Sequence, residues 1–388
     1  MSGLPPSPTP YMILGEAAPL GARPSTPFAQ PSMPPLEAFR PYLEQIWSSG
    51  RLTGCGPFHE QLETALEHYL GVENLALTAN GTIGLLLALN AFDLDGEVIT
   101  TPFSFVSTVH ALRWSRLKPV FVDIDPLTGN LDPSAIEAAI SPRTRAILPV
   151  HCFGHPCDTT AINEVADIYG LKVIYDAAHA FGVSVSGRSI LSHGDASVLS
   201  FHAAMPFTCG EGGAVVCADP RVKRRIGRLR NFGLVGTTTV AAAGINGQMS
   251  EMHAALGLLQ LAQFDHAIVR REQIAGRYRA ALADIRGVRL FGVGPQWRSN
   301  HGFFPIAIND EHQAGRNQLY ERLMDQGIEA RRYGFPLASE TPVYRDLPSA
   351  RAELPHARSL AKQILCLPLY PCLPDATVER IIALISEG

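Results

Sequence analysis

Short, continuously apolar runs alternate with helix-length stretches through the first half of this chain, and few architectures accommodate that order. "NLALTA" precedes "IGLLLALNAF", "GEVITT" precedes "FVSTVHALRWS", and "KPVFVDI", "TRAILPV" and "LKVIYDA" follow, with "DPSAIEAAI" and "DTTAINEVADIYG" read as helices between them. Apolar runs without polar alternation suit strands covered on both faces, and a strand–helix–strand repeat returns each strand parallel to the last. The prediction is an α/β fold with a large, mostly parallel sheet between layers of helices. "ASVLSF" and "GAVVCA" lie close together across a glycine-rich stretch, a spacing that suits antiparallel pairing.

Either side of this region the text changes. Residues 1–30 are rich in proline and poor in periodicity, as expected for an arm lying along a surface or a partner. "LEAFRPYLEQIWSSG" and "FHEQLETALEHYLG" read as amphipathic helices, the second ended by Gly71. The long helical stretch "SEMHAALGLLQLAQFDHAIVRREQIAGRYRAAL" leads into a smaller C-terminal α+β domain. The expected division is therefore an arm over 1–30, a large domain over 31–265 and a small domain over 266–388.

Composition narrows the function. A net charge of -4 with acids and bases interspersed offers no basic stripe for a phosphate backbone, so nucleic acid is not expected as a partner. The run "RVKRRIGRLR" reads as one charged helix face. No apolar run approaches the roughly 20 residues of a spanning helix, and the N-terminus lacks the pattern of a secretory signal, so no membrane association and a cytoplasmic location are expected. Seven scattered cysteines suit reduced thiols. His151, Cys152, His155 and Cys157 are bunched, but no second ligand cluster accompanies them, so a structured loop rather than a metal site is expected. Lysine is scarce, at positions Lys118, Lys172, Lys223 and Lys362 alone.

Ligands of open α/β sheets bind beyond the carboxyl ends of the strands. Asn80, Gly81 and Thr82 lie there and open a helix, where N–H groups and the Thr82 hydroxyl can hold a phosphate; a simple helix cap reads equally well. Asp176 ends the strand "LKVIYDA", where a carboxylate can keep a heteroaromatic nitrogen protonated or merely cap the next turn. Phe105 can stack on a ring or fill the core. "SFHAAMPFTCGEGG", at 200 to 213, combines a serine and a histidine with glycines that admit a ligand close to the backbone.

Taken in order, these segments carry a resemblance. "RLTGCGPFHEQLE", "NGTIGLLLAL", "TPFSFVSTVHAL", "VIYDAAHAFG", "GEGG", "GINGQMSEMHAALGLLQL", "RRYGFPL" and "LCLPLYP" together resemble the DegT/StrS family of nucleotide-sugar aminotransferases over the whole chain after the arm. The resemblance implies a fold-type I transferase whose cofactor is pyridoxal 5'-phosphate (PLP) or pyridoxamine 5'-phosphate (PMP), and a nucleotide-linked keto sugar as substrate. It further implies Asp176 at the pyridine nitrogen, His179 near the ring hydroxyl, Phe105 stacked on the ring, and Gly81, Thr82 and Ser200 around the phosphate. Asn246 would reach the phosphate from the neighbouring subunit of a homodimer.

One position departs decisively. Family members read serine, aromatic, histidine, two residues and then the Schiff-base lysine; counted from Ser200, that place is Met205. Methionine has no amine to condense with an aldehyde and no proton to shuttle, so ordinary transamination is expected to be impaired and the cofactor to be held without a covalent bond. Gln248 stands where relatives often carry a basic residue, and Ala338 where many carry histidine. These extra departures favour natural divergence over a lysine-to-methionine replacement engineered to trap a cofactor adduct. A non-catalytic subunit that pairs with an active homologue, and a scaffold that has lost the cofactor, are the other readings.

Overall fold

The computed structural model describes residues 26–387, so only the last residues of the expected arm fall within it. The chain opens with helices α1 (Leu36–Ser49) and α2 (Pro57–Leu70); Gly71, with φ 62°, caps the second. The alternation then follows as β1 (Leu75–Thr78), α3 (Gly81–Ala91), β2 (Glu97–Thr100), α4 (Val106–Trp114), β3 (Lys118–Phe121), β4 (Thr144–Leu148), α5 (Thr159–Tyr169) and β5 (Lys172–Asp176). Strands β6 (Ala196–Ser200) and β7 (Gly213–Cys217) and helix α6 (Pro220–Leu229) complete it. In α6 Ile226 and Leu229 are buried while Arg221, Arg224 and Arg228 are exposed.

The seven strands form one sheet in the order β1-β7-β6-β5-β4-β2-β3. The pairs from β3 across to β6 are parallel, whereas β7 runs antiparallel to both β6 and β1. Strands β1, β2 and β7 are buried at every residue, including Glu97 of β2, whose carboxylate is paired by Lys118, Arg143 and the Ser141 hydroxyl. Aromatic residues Phe181, Phe201 and Phe207 fill the layer beneath α2, with Phe181 and Phe207 stacked at 4.2 Å.

β1 lies at an edge of the sheet, where a strand ordinarily leaves backbone groups unpaired. Here side chains take them up. Glu67 accepts from the Leu75 N–H at 2.8 Å and Glu63 from the Leu77 N–H at 2.9 Å, while Arg230 donates to the Leu77 carbonyl. Arg230 also pairs with Glu63 at 2.8 Å, and Lys223 with Glu67 at 2.8 Å.

One segment differs from its sequence reading. "DPSAIEAAI" forms two 3-10 turns, Pro133–Ala135 and Glu137–Ala139, instead of a helix. A segment this short gains little from helix propagation, and Ser141, which precedes Pro142, is disfavoured in the α region.

Beyond the sheet, α7 (Glu251–Leu282) runs unbroken for 32 residues. A second, antiparallel sheet follows, β8 (Val288–Leu290), β9 (Phe304–Ile308) and β10 (Ile364–Leu367), with β9 in the middle. Helices α8 (Gly315–Asp325), α9 (Pro355–Gln363) and α10 (Asp375–Ser386) accompany it. The break expected between 265 and 266 falls inside α7: Phe264 and Ile268 pack with the aromatic layer of the larger sheet, and Ile274, Tyr278 and Leu282 pack with β9 and α10. Among the described residues no helix is long and apolar enough to cross a membrane.

Candidate active site

A cavity of about 550 Å³ opens at the carboxyl ends of the parallel strands, against the segment 331–336. Gly81, Thr82, Phe105, Asp176, His179, Ser200 and Met205 all line it, so one place in the fold gathers every sequence-predicted site residue except Asn246.

The floor is built by close approach of three backbones. Asn80 caps α3 by accepting the Ile83 N–H at 2.9 Å, which leaves the first-turn N–H groups of Gly81 and Thr82 without helical partners. A methyl group placed on Gly81 would lie 2.9 Å from Ser200 Cβ, and one on Gly213 would lie 2.7 Å from the Asn80 carbonyl carbon. Glycine at both positions lets the end of β6 and the start of α3 form one cup of donors, with the positive end of the helix dipole beneath it.

Asp176, 4% exposed at the end of β5, accepts from the Thr108 hydroxyl at 2.7 Å and from the Ala178 N–H at 3.1 Å. Burial pushes its carboxyl above the ordinary range, although both hydrogen bonds oppose that shift. A carboxylate so placed favours a cationic neighbour. His179 accepts the Phe153 N–H at Nδ1 (3.1 Å), so in its neutral form Nε2 carries the proton. Burial holds the ring neutral, with its pKa lowered to about 3. Its ring packs on Phe303 at 4.3 Å and edge-on to Tyr333 at 5.5 Å.

Met205 sits in a tight turn, its N–H donating to the His202 carbonyl at 2.9 Å. None of the four lysines lines the cavity. Lys118 pairs with Glu97, Lys172 with Asp195 and Lys223 with Glu67, and Lys362 borders a separate surface depression beside α8. Asn246 is exposed, bridges to Asn231 and does not line the cavity of its own chain. Gln248 and Ala338 do not line it either; Gln248 donates to Asn231 at 3.0 Å, and Ala338 is buried with its N–H on the Pro102 carbonyl.

Several lining residues carry no local signal. Thr108 stands one helical turn beyond Phe105, and that spacing was the available hint. Phe28 and Phe303 arrive from distant segments, and Arg331, Arg332 and Tyr333 from "RRYGFPL", which entered the resemblance without a role for these three residues. Arg331 pairs with Glu329 and lies over the Phe28 ring, whereas Arg332 lies over Tyr320 and Phe335 with no ion pair among the described residues. The bunched histidines and cysteines form a structured loop: His151 stacks on Tyr175 at 4.6 Å and accepts the Cys157 N–H at Nδ1. No group of three or more His, Cys, Asp or Glu residues suited to a metal occurs among the described residues.

Comparison with known proteins gives a consistent answer. A transaminase of Shigella dysenteriae, named for dTDP-4-amino-4,6-dideoxy-D-glucose, is 48% identical over 358 residues, which cover 92% of this chain and 97% of that protein. An Escherichia coli transaminase of the same name is 46% identical over 363 residues, with coverage of 92% and 97%. The crystal structure of DesI, solved in the presence of its TDP-sugar product, superposes with a TM-score of 0.89 at 37% identity and covers 94% of each chain. The DegT/DnrJ/EryC1/StrS aminotransferase family matches residues 36–386, and with the cavity described above this chain belongs to that family.

Proposed function

We propose that this protein binds PLP or PMP without a covalent bond and takes a nucleotide-linked sugar of the kind named for its relatives, with ordinary transamination impaired by Met205. The observation that carries the reading is the cavity itself: it keeps a donor cup and a buried carboxylate, and Met205 lines its wall while no lysine does. The residues fit the cofactor. Gly81, Thr82 and Ser200 would hold its phosphate, Phe105 would cover the ring, and Asp176 would face the ring nitrogen. When bound, the cofactor supplies an electron sink for the amino-bearing carbon. Asp176 would keep that nitrogen protonated, and His179, with its proton on Nε2, would donate to the ring oxygen. Arg332, a guanidinium without an ion-pair partner among the described residues, suits the phosphates of a nucleotide.

Loss of the lysine's proton transfer alone lowers transamination about 10²- to 10⁴-fold. The test is the absorbance spectrum of the purified protein with added PLP and PMP, before and after borohydride. Binding without a reducible protein adduct supports the reading, and a borohydride-fixed lysine overturns it. Turnover by the purified protein separates a slow enzyme from a cofactor-binding subunit that serves an active homologue.

Thr82→Ala and Asp176→Asn should each weaken cofactor binding by about 1 to 3 kcal/mol, the range for a hydrogen bond to a charged group. Equilibrium titration by cofactor fluorescence measures both, and unchanged affinity in Asp176→Asn would remove the carboxylate from its assigned place.

The reading includes a homodimer in which Asn246 reaches the partner's phosphate cup. Around Asn246 the apolar residues Phe232, Val235, Val240 and Ile245 are exposed, a pattern that suits burial against a second copy. Sedimentation at micromolar concentration should give a dimer. A stable monomer with full cofactor affinity would contradict this arrangement.

A further inference from the structure

A second cluster of reactive groups lies away from the cofactor cavity, where the loop before α2 meets α6 and the start of α7. Cys55 is the half-buried member. Arg230 Nη2 donates to its sulfur at 3.6 Å, and Gln248 Oε1 lies 3.9 Å from it on another side. His59, one turn along in α2 and 1% exposed, bonds Glu63 through Nε2 at 3.2 Å. Its Nδ1 is buried without a hydrogen-bond partner. Glu251 completes the surroundings by accepting the Phe58 and His59 N–H groups at 2.9 and 3.1 Å.

The charges around the sulfur act in a definite direction. Cys55 interacts with His59 first, then with Arg230, and these hold its thiol below the usual range against burial and the Glu63 charge. For His59 burial is the largest influence and opposes protonation, but Cys55 and Glu63 outweigh it and raise the ring to about 9. The guanidinium at 3.6 Å favours the thiolate over the thiol, and the thiolate is the form in which cysteine is nucleophilic. Of the other cysteines, Cys152, Cys157, Cys209, Cys217 and Cys366 are buried, and Cys372 alone is exposed.

We propose that Cys55, with His59 and Arg230, is a covalent modification site for small uncharged electrophiles, hydroperoxides being the class that suits it. The thiolate sulfur attacks the outer oxygen of the peroxide, an S–O bond forms and the O–O bond breaks. Sulfur is oxidised by two electrons to sulfenic acid, the peroxide is reduced to an alcohol or water, and His59 supplies the proton to the departing oxygen. Small size follows from the half-buried sulfur, and lack of charge from Glu63 and Glu251 beside Arg230.

The test uses the full chain and takes Cys372 as the internal reference. Iodoacetamide labelling is followed peptide by peptide between pH 5.5 and 9.5 by mass spectrometry. The Cys55 profile should reach half its plateau at least about one pH unit below that of Cys372, and His59→Gln should move it up by a similar interval. A Cys55 profile that coincides with or lies above that of Cys372, or absence of labelling at Cys55, overturns the proposal whether or not the variant folds. With hydrogen peroxide and dimedone at pH 7, trapping at Cys55 several-fold above Cys372 is expected. Equal trapping would remove the peroxide assignment.

Discussion

Met205→Lys should convert a protein that holds PLP reversibly into one in which borohydride fixes cofactor to most chains, with glutamate turning the bound PLP into PMP. Methionine and lysine are unbranched and close in volume, so the exchange disturbs packing little. Partial burial disfavours the ammonium form of the new side chain, leaving the neutral amine that attacks an aldehyde. The expected gain in half-transamination is at least about 10²-fold, the low end of what a positioned proton-transfer group supplies. Mass spectrometry of the reduced protein and chromatography of released cofactor measure the two events. A folded variant that binds PLP and shows neither places Met205 away from the lysine position.

Arg230→Met should lower the urea midpoint by an amount equivalent to about 3 to 5 kcal/mol, because it leaves Glu63 charged and partly buried and the Leu77 carbonyl without its donor. Arg230→Lys should recover only part of the loss, since an ammonium lacks the fork that reaches both groups. The same cluster sets a pH dependence. Burial tends to raise Glu63, but His59 and Arg230 bring it down to about 2, so its contribution is present above about 4.5 and is lost as pH falls toward 2. His59, raised to about 9, contributes fully below about 6.5 and loses that contribution as pH rises through 9. The Glu63 and His59 contributions are therefore both fully present between about pH 4.5 and 6.5. Urea midpoints across pH should show the acid limb shrink in Glu63→Gln and the alkaline limb shrink in His59→Gln.

The parallel sheet was legible because each strand announces itself locally as an apolar run before a helix. Asp176, Ser200 and Gly81 could be placed because strand ends are visible in sequence and the family order ties them together. Phe303 could not be placed in the same way, since nothing near it in the chain says that it lies against the parallel strand ends, and Tyr333, within "RRYGFPL", belonged to the resemblance without an assigned place. Glu63 and Glu67 lie in a stretch whose sequence shows only an amphipathic helix. Their partners are N–H groups of β1, and that relation exists only once β7 has placed β1 at the sheet edge. The short turns at Pro133–Ala135 and Glu137–Ala139 show the other limit, where a helical apolar pattern lacked the length to propagate.

Helix α7 acts as a strut between the two sheets. Its 32 residues give a rod of about 48 Å at 1.5 Å per residue, and buried Arg271 in its middle donates to the Leu369 carbonyl at 2.7 Å. Rotating one sheet against the other would require this rod to bend or to surrender packing at Phe264, Ile268, Ile274 or Tyr278. The Arg331–Arg332–Tyr333 wall and the strand ends across the cavity from it thus belong to two sheets that share this one rod.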